Sequence, residues 1–123
     1  MKRLLLTLAL VFSFLSVMAT DITPISNAFK GGNASTLTGA MDQEVDMALP
    51  GSSKKCSGSE AVKMLSTFFG NNKPTGFSVV HHADKKDPGF FAGKLPTASG
   101  EYRVNITYRA DGDKAIIQSI RIE

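Results

Sequence analysis

The sequence of 123 residues predicts an α+β domain in which a curved antiparallel sheet wraps around helices. Two observations lead to this fold class. Apolar side chains recur at helical spacing in the first half of the chain, whereas apolar and polar residues alternate in segments after Pro74. Consecutive strands with short turns form an antiparallel meander, and amphipathic helices bury their apolar faces against such a sheet. The predicted order of elements is α-α-β-(β)-α-β-β-β-β.

Two short helices are predicted first. Thr23 is expected to cap the first helix, and Pro24 occupies its first turn, where the missing N–H group is not needed. Apolar residues at helical spacing continue this helix to Lys30, which precedes a glycine pair. Asn33 can cap a second short turn over Ala34–Thr38.

A strand with one wet face is predicted next. Within Met41–Leu49, the large apolar residues all occupy odd positions and the three acidic residues all occupy even positions. After a turn, Lys54–Cys56 can form a short antiparallel partner. The strand is therefore expected to lie against the helices on one side only.

The main helix is predicted over Ser59–Phe69. Ser57 and Glu60 have the spacing of a capping box at its start, and apolar residues recur at helical positions up to its end. The helix is expected to end at Gly70 and the two asparagines that follow it, before Pro74.

Four strands follow, at Phe77–Ala83, Phe90–Thr97, Glu101–Ala110 and Lys114–Glu123. Successive strand side chains point to opposite faces, so Phe90 and Phe91 cannot both lie inside, and the outward ring can mark an interface in a homodimer. In the last strand, the even-numbered isoleucines Ile116, Ile120 and Ile122 are expected to face the main helix.

The first 19 residues predict a secretory signal peptide. Lys2 and Arg3 precede an uncharged run from Leu4 to Val17, and Ala19 has the small side chain typical of a cleavage site. This run is shorter than the ~20 residues that a membrane-spanning helix needs. We expect cleavage after Ala19 and a mature domain, residues 20–123, that is periplasmic or extracellular and has no transmembrane anchor.

Charge and cysteine content exclude several classes of protein. Loss of Lys2 and Arg3 lowers the formal net charge of +3 by two, and the remaining lysine pairs do not form the basic stripe that nucleic acid requires. Cys56 is the only cysteine, so no intramolecular disulfide can form. It is expected to be a small, half-buried apolar side chain, with an intermolecular bridge or a reactive thiol as the alternative.

Several short motifs carry a family resemblance. They are Glu44-Val45-Asp46, Phe68-Phe69, Phe77 to His81, Gly93 to Thr97, Gly100-Glu101-Tyr102-Arg103-Val104 and Ile120-Arg121-Ile122-Glu123. With the order of elements, they make the chain similar to a family of small exported bacterial proteins catalogued as a domain of unknown function, within the superfamily of nuclear transport factor 2 and ketosteroid isomerase. The resemblance implies a cone of curved sheet around helices, whose open end commonly serves as an apolar ligand pocket.

Four side chains are candidate ligand-binding residues: Phe68, His81, Tyr102 and Tyr108. His81 has the strand parity of Phe77 and Val79, so it is expected to face the helices, where an imidazole can act as acid or base. Both tyrosines lie on the apolar face of the third strand, and a hydroxyl group there can orient a ligand. Core packing is the alternative explanation for each of these residues.

No cofactor or metal site is predicted. His81 and His82 are adjacent in a strand and point to opposite faces, so they cannot both bind one metal ion. Asp84, on the side of His82, permits at most a weak surface site with two ligands.

Two classes of function stay open. The first is an exported, non-catalytic module that binds a small apolar ligand or a partner protein through the cone or the sheet. The alternative is a small lyase or isomerase of the ketosteroid isomerase type, in which a histidine or tyrosine in the pocket transfers a proton. This alternative requires two convergent polar groups in a water-poor pocket.

Overall fold

The structure is a computed structural model that describes residues 20–83 and 88–123. The predicted signal peptide and most of the predicted turn between the first two strands of the meander lie outside these residues, as does Asp84. The helices are α1 (Thr23–Gly31), a 3-10 helix (Ala34–Ala40) and α2 (Gly58–Asn71). The strands are β1 (Met41–Leu49), β2 (Ser52–Ser57), β3 (Ser78–Ala83), β4 (Gly89–Thr97), β5 (Gly100–Asp111) and β6 (Lys114–Ile122).

The six strands form one open sheet in the order β2-β1-β6-β5-β4-β3. The predicted meander from β3 to β6 and the β1–β2 hairpin are antiparallel, but β1 and β6 are parallel. The predicted antiparallel meander is confirmed, and the parallel β1–β6 pair was not predicted. α2 connects β2 to β3, and these two edge strands run in the same direction. Neighbouring strands therefore alternate in direction everywhere in the sheet except between β1 and β6.

The core fills the space between the helices and one face of the sheet. Phe29 of α1 contacts Phe69 of α2 edge to face, with ring centroids 5.4 Å apart, and lies at the same distance from Phe77 before β3. Val104, Ile106 and the two tyrosines of β5 share the inner face as predicted, although Tyr102 is only partly buried. Among the described residues, no buried side-chain nitrogen or oxygen lacks a hydrogen-bond partner.

Two β-bulges reverse the predicted orientation of side chains. In β3 the pairing with β4 shifts between Val79 and His81, so His82, and not His81, lies opposite the buried Phe91. The expectation that His81 faces the helices was therefore wrong, because the extra residue in the bulge changes the parity of every residue after it.

The second bulge lies in β6, between the residues that pair with Thr107 and Tyr108. Ile117 is opposite Tyr108 and belongs to the core, whereas Ile116 is opposite Arg109 and lies outside the core cluster. Ile116 is buried as predicted, at 6% exposure, but the bulge places it outside the core cluster that contains Ile120 and Ile122.

The helix starts differ in their caps. The backbone N–H of Glu60 donates to the hydroxyl group of Ser57, as predicted for α2. Thr23 does not cap α1, since it lies within the first turn and its own N–H donates to the Asp21 carboxylate. No helix among residues 20–83 and 88–123 has the length and apolar character needed to cross a membrane.

An ion pair joins β1 to β5 across β6 on the outer face of the sheet. Arg109 Nε lies 3.0 Å from Asp42 Oδ2. The hydrogen bond from Arg109, followed by one from the Gln43 backbone N–H, lowers the pKa of Asp42 below its ordinary value of 3.8. A carboxylate with a depressed pKa in the folded state stabilises the fold above its unfolded pKa and loses this contribution as the pH falls through the folded value.

We expect Asp42→Asn to lower the free energy of unfolding at pH 6 and to have a smaller effect at pH 3, since pH 3 lies below the ordinary pKa of 3.8, where the stabilisation from the charged carboxylate begins to be lost. Urea denaturation at both pH values measures the difference. Asp46→Asn, at an exposed position of the same strand face, is the matched control. An equal loss of stability at both pH values would contradict the assignment.

Candidate functional site

A groove of about 330 Å³ lies where the end of α2 meets the β1–β2 turn and the start of β5. We call it the α2 groove. Its apolar lining comes from Leu49, Met64, Phe68 and Tyr102. The Phe68 and Tyr102 rings pack edge to face with centroids 5.2 Å apart. The structure therefore brings together two of the four side chains that the sequence singles out.

Polar groups of the α2 groove belong to neutral side chains. The Tyr102 hydroxyl donates to Asn72 Oδ1 over 3.1 Å, and the side-chain amide of Asn72 donates to the Phe68 carbonyl at the end of α2. Asn72 is thus held in place by the helix terminus that it caps. Ser52 and Thr67 add hydroxyl groups to the lining.

The absence of charge distinguishes the α2 groove from two others on the described part of the chain. Those are lined by charged residues: Lys94, Glu101, Arg103 and Glu123 in one, and Asp46, Lys54, Lys55 and Arg121 in the other. No charged side chain lines the α2 groove. It therefore favours an uncharged group, because a charged group would lose hydration there without gaining a partner.

Tyr108 lies near the opposite end of β5, six residues from Tyr102. At ~3.3 Å per strand residue, the two positions are about 20 Å apart. The Tyr108 side chain is 1% exposed and its hydroxyl is 2.7 Å from His82 Nε2. Its ring packs near those of His82 and Phe91. This contact satisfies the polar end of a buried tyrosine, so packing accounts for the pair.

Strand parity points to His81 as the inward histidine, but His82 is the one that contacts the Tyr108 hydroxyl. The structure places His81 at the exposed surface, with its ring 5.9 Å from that of the outward-facing Phe90. Gly89 was a signal in the sequence for the inward position of the Tyr108 ring. It is opposite Tyr108, and a Cβ atom there would lie 2.5 Å from the tyrosine ring. A glycine within a strand can mark such a close approach.

Cys56 contacts Met64 of the α2 groove and is buried, more fully than the half-buried side chain that was predicted. Its Sγ is 3.9 Å from the sulfur of Met64. Burial, with a smaller effect from Glu60, raises the pKa of the thiol. Since the thiolate is the reactive form, this environment favours the structural interpretation over a nucleophilic one. Within residues 20–83 and 88–123, no three histidine, cysteine or acidic side chains cluster as metal ligands.

Comparisons with known proteins identify both a family and a fold. A family model described as "Domain of unknown function (DUF4783)" matches residues 22–123. Crystal structures of DUF4783 family proteins from Bacteroides fragilis and Bacteroides uniformis are 34% and 33% identical to this chain, with TM-scores of 0.75 and 0.76. Each match covers 81% of this chain, and 94% and 93% of the respective relatives.

The fold extends to proteins of unrelated sequence. A designed protein of the Rd1NTF2 series is 13% identical, with a TM-score of 0.68 over 83% of this chain and 92% of its own. The likeness shows the nuclear transport factor 2-like fold, a curved open sheet around helices. No curated protein matches the chain.

Proposed function

We propose that this chain, which belongs to the DUF4783 family of domains of unknown function and has the nuclear transport factor 2-like fold, is an exported, non-catalytic binding module. Its ligand is a small, neutral, mainly apolar molecule that occupies the α2 groove. The pairing of an uncharged apolar lining with the Tyr102–Asn72 hydrogen bond is the observation that carries this proposal.

The size of the groove limits the ligand. Ligand pockets are commonly ~300–1,000 Å³, so a groove of about 330 Å³ suits a short alkyl chain or a single ring system. The Tyr102 oxygen can accept a hydrogen bond while it donates to Asn72. A neutral hydroxyl or amide on the ligand would therefore find a partner beside the apolar lining.

A binding role fits the side chains better than proton transfer. The histidine that was expected inside the cone, His81, is exposed, and the groove offers only hydroxyl and amide groups beside Tyr102. General acid–base catalysis needs a group whose pKa lies near the working pH, and hydroxyl and amide side chains are far from it. The isomerase alternative therefore has less support than ligand binding.

The test compares three probes that differ only in their headgroup: decanol, decanoate and decyltrimethylammonium. We expect decanol to shift the NMR resonances of the Asn72 and Thr67 amides in a saturable way. The two charged probes should bind about tenfold more weakly, because the groove does not compensate for their lost hydration.

Thr67→Trp should fill the α2 groove and abolish decanol binding. Ser66→Trp, one position away on α2 and outside the groove lining, is the matched control and should bind like the wild type. Equal binding to both tryptophan variants would overturn the ligand proposal. Failure of all three probes would leave partner binding as the surviving hypothesis.

Export is part of the same proposal and rests on the basic start and the uncharged run between Leu4 and Val17. Mass spectrometry of the protein recovered from the cell envelope or medium should show a chain that begins at Thr20. Recovery of the chain with Met1 intact in the cytoplasm would contradict export without affecting the groove.

A further inference from the structure

A second groove, of about 310 Å³, adjoins the α2 groove at the end of the sheet. We call it the end groove. Both linings include Leu49, Pro50 and Tyr102, so the two grooves meet over these three residues. A ligand that is longer than the α2 groove therefore extends past Tyr102 into the end groove.

The end groove differs from the α2 groove in charge. Its lining includes Arg121 and Glu123, whose side chains are 66% and 54% exposed and whose Nε and Oε2 atoms are 3.6 Å apart. Ile122, which lies between them in the sequence, also lines the groove but is 2% exposed and belongs to the core. Because successive strand side chains point to opposite faces, the end groove leads from the inner to the outer face of the sheet.

Glu123 lies beside Tyr102 on the neighbouring strand. Arg103, which follows Tyr102, exchanges two backbone hydrogen bonds with Glu123, of 2.7 and 3.0 Å. Neighbouring strands are ~4.8 Å apart and each strand residue adds ~3.3 Å, so the backbones of Tyr102 and Glu123 are about 6 Å apart. A head group of the size of one glycerol or one hexose ring spans this distance.

The ion pair in the end groove offers both donors and acceptors. Its contact uses Nε of Arg121 and Oε2 of Glu123, while the guanidinium group has further N–H donors and the carboxylate a second oxygen. The Ser53 hydroxyl, also in the lining, can donate and accept. A head group with several hydroxyls matches this mixed set, whereas a carboxylate would be repelled by Glu123 and an ammonium group by Arg121.

We propose that the ligand of the α2 groove is a single-chain amphiphile with an uncharged head group that carries several hydroxyls, of the class of alkyl glycosides and monoacylglycerols. The alkyl chain lies in the α2 groove. One head-group hydroxyl donates to the Tyr102 oxygen, and the others bond to Arg121 and Glu123. This inference rests on the proposed function, because the α2 groove must hold the chain, and it adds the chemical class of the head group.

Decanol and decyl glucoside test the head group, because they share the alkyl chain and differ by one sugar. NMR titration of the Thr67 amide, below the concentration at which the glucoside forms micelles, gives both dissociation constants. The wild type should bind decyl glucoside about tenfold more tightly than decanol, because the sugar adds hydrogen bonds to charged groups. The Arg121 and Glu123 amides should shift with the glucoside and not with decanol.

Arg121→Ala should reduce the tenfold preference for the glucoside to about one. Lys55→Ala, which breaks an exposed ion pair outside the end groove, is the matched control and should keep the preference. Equal binding of the two probes to the wild type, or an undiminished preference in Arg121→Ala, would overturn the proposal. So would tighter binding of a zwitterionic probe with the same chain, because the end groove would then select charge.

The same titrations separate this proposal from that of the α2 groove. If decanol binds and the glucoside has no advantage, the head-group proposal fails alone. If neither probe binds, the α2 groove is not a site for alkyl chains and both proposals fail.

Discussion

Removal of Ser119–Glu123 is expected to unfold the domain. The segment contains Ile120 and Ile122, which are 0% and 2% exposed, and burial of each side chain contributes ~1.5–3 kcal/mol. β6 also lies inside the sheet, between β1 and β5, so truncation removes ladder hydrogen bonds on both sides. Together these losses approach the ~5–15 kcal/mol that stabilises a typical domain.

Circular dichroism and thermal melting measure this effect. The truncated chain should lose its cooperative transition, whereas Arg121→Ala, at an exposed position of the same segment, should melt within a few degrees of the wild type. Cooperative melting of the truncated chain near the wild-type temperature would show that the end of β6 is dispensable. The assignment of β6 as an integral central strand of the sheet would then be wrong.

Gly93→Ala is expected to cause the second largest loss of stability. A Cβ atom at Gly93 would lie 2.5 Å from Cζ of Phe77 and 2.7 Å from the carbonyl oxygen of Ser78. The Phe77 ring is fixed by the core, and the carbonyl group belongs to the neighbouring strand, so neither can move freely. Overpacking of this kind costs ~1–3 kcal/mol and should weaken the pairing of β3 with β4.

Urea denaturation of the variant gives the change in the free energy of unfolding. Gly70→Ala is the matched control, because nothing lies within 4 Å of the added methyl group in α2. Alanine in place of glycine within a helix is expected to stabilise the chain by ~0.5–1 kcal/mol. Equal stability of Gly93→Ala and the wild type would show that Phe77 does not occupy the space over Gly93.

The candidate site was only partly predictable. The alternation of β5 places Tyr102 and Tyr108 on the apolar face, and the helical spacing places Phe68 on the buried side of α2. That Phe68 and Tyr102 meet, while Tyr108 lies far from both, depends on how α2 crosses the sheet. Asn72, which holds the Tyr102 hydroxyl, looked like a residue of the helix stop and nothing more.

The sequence by itself determined the elements of this protein, because helix periodicity, capping by Ser57 and strand alternation depend on residues a few positions apart. Only the tertiary structure decided which way His81 and Ile116 point, since a bulge exists only where a strand pairs with its neighbour. The parallel β1–β6 pair was decided in the same way. Both features arise from contacts between distant segments, and local spacing carries no record of those contacts.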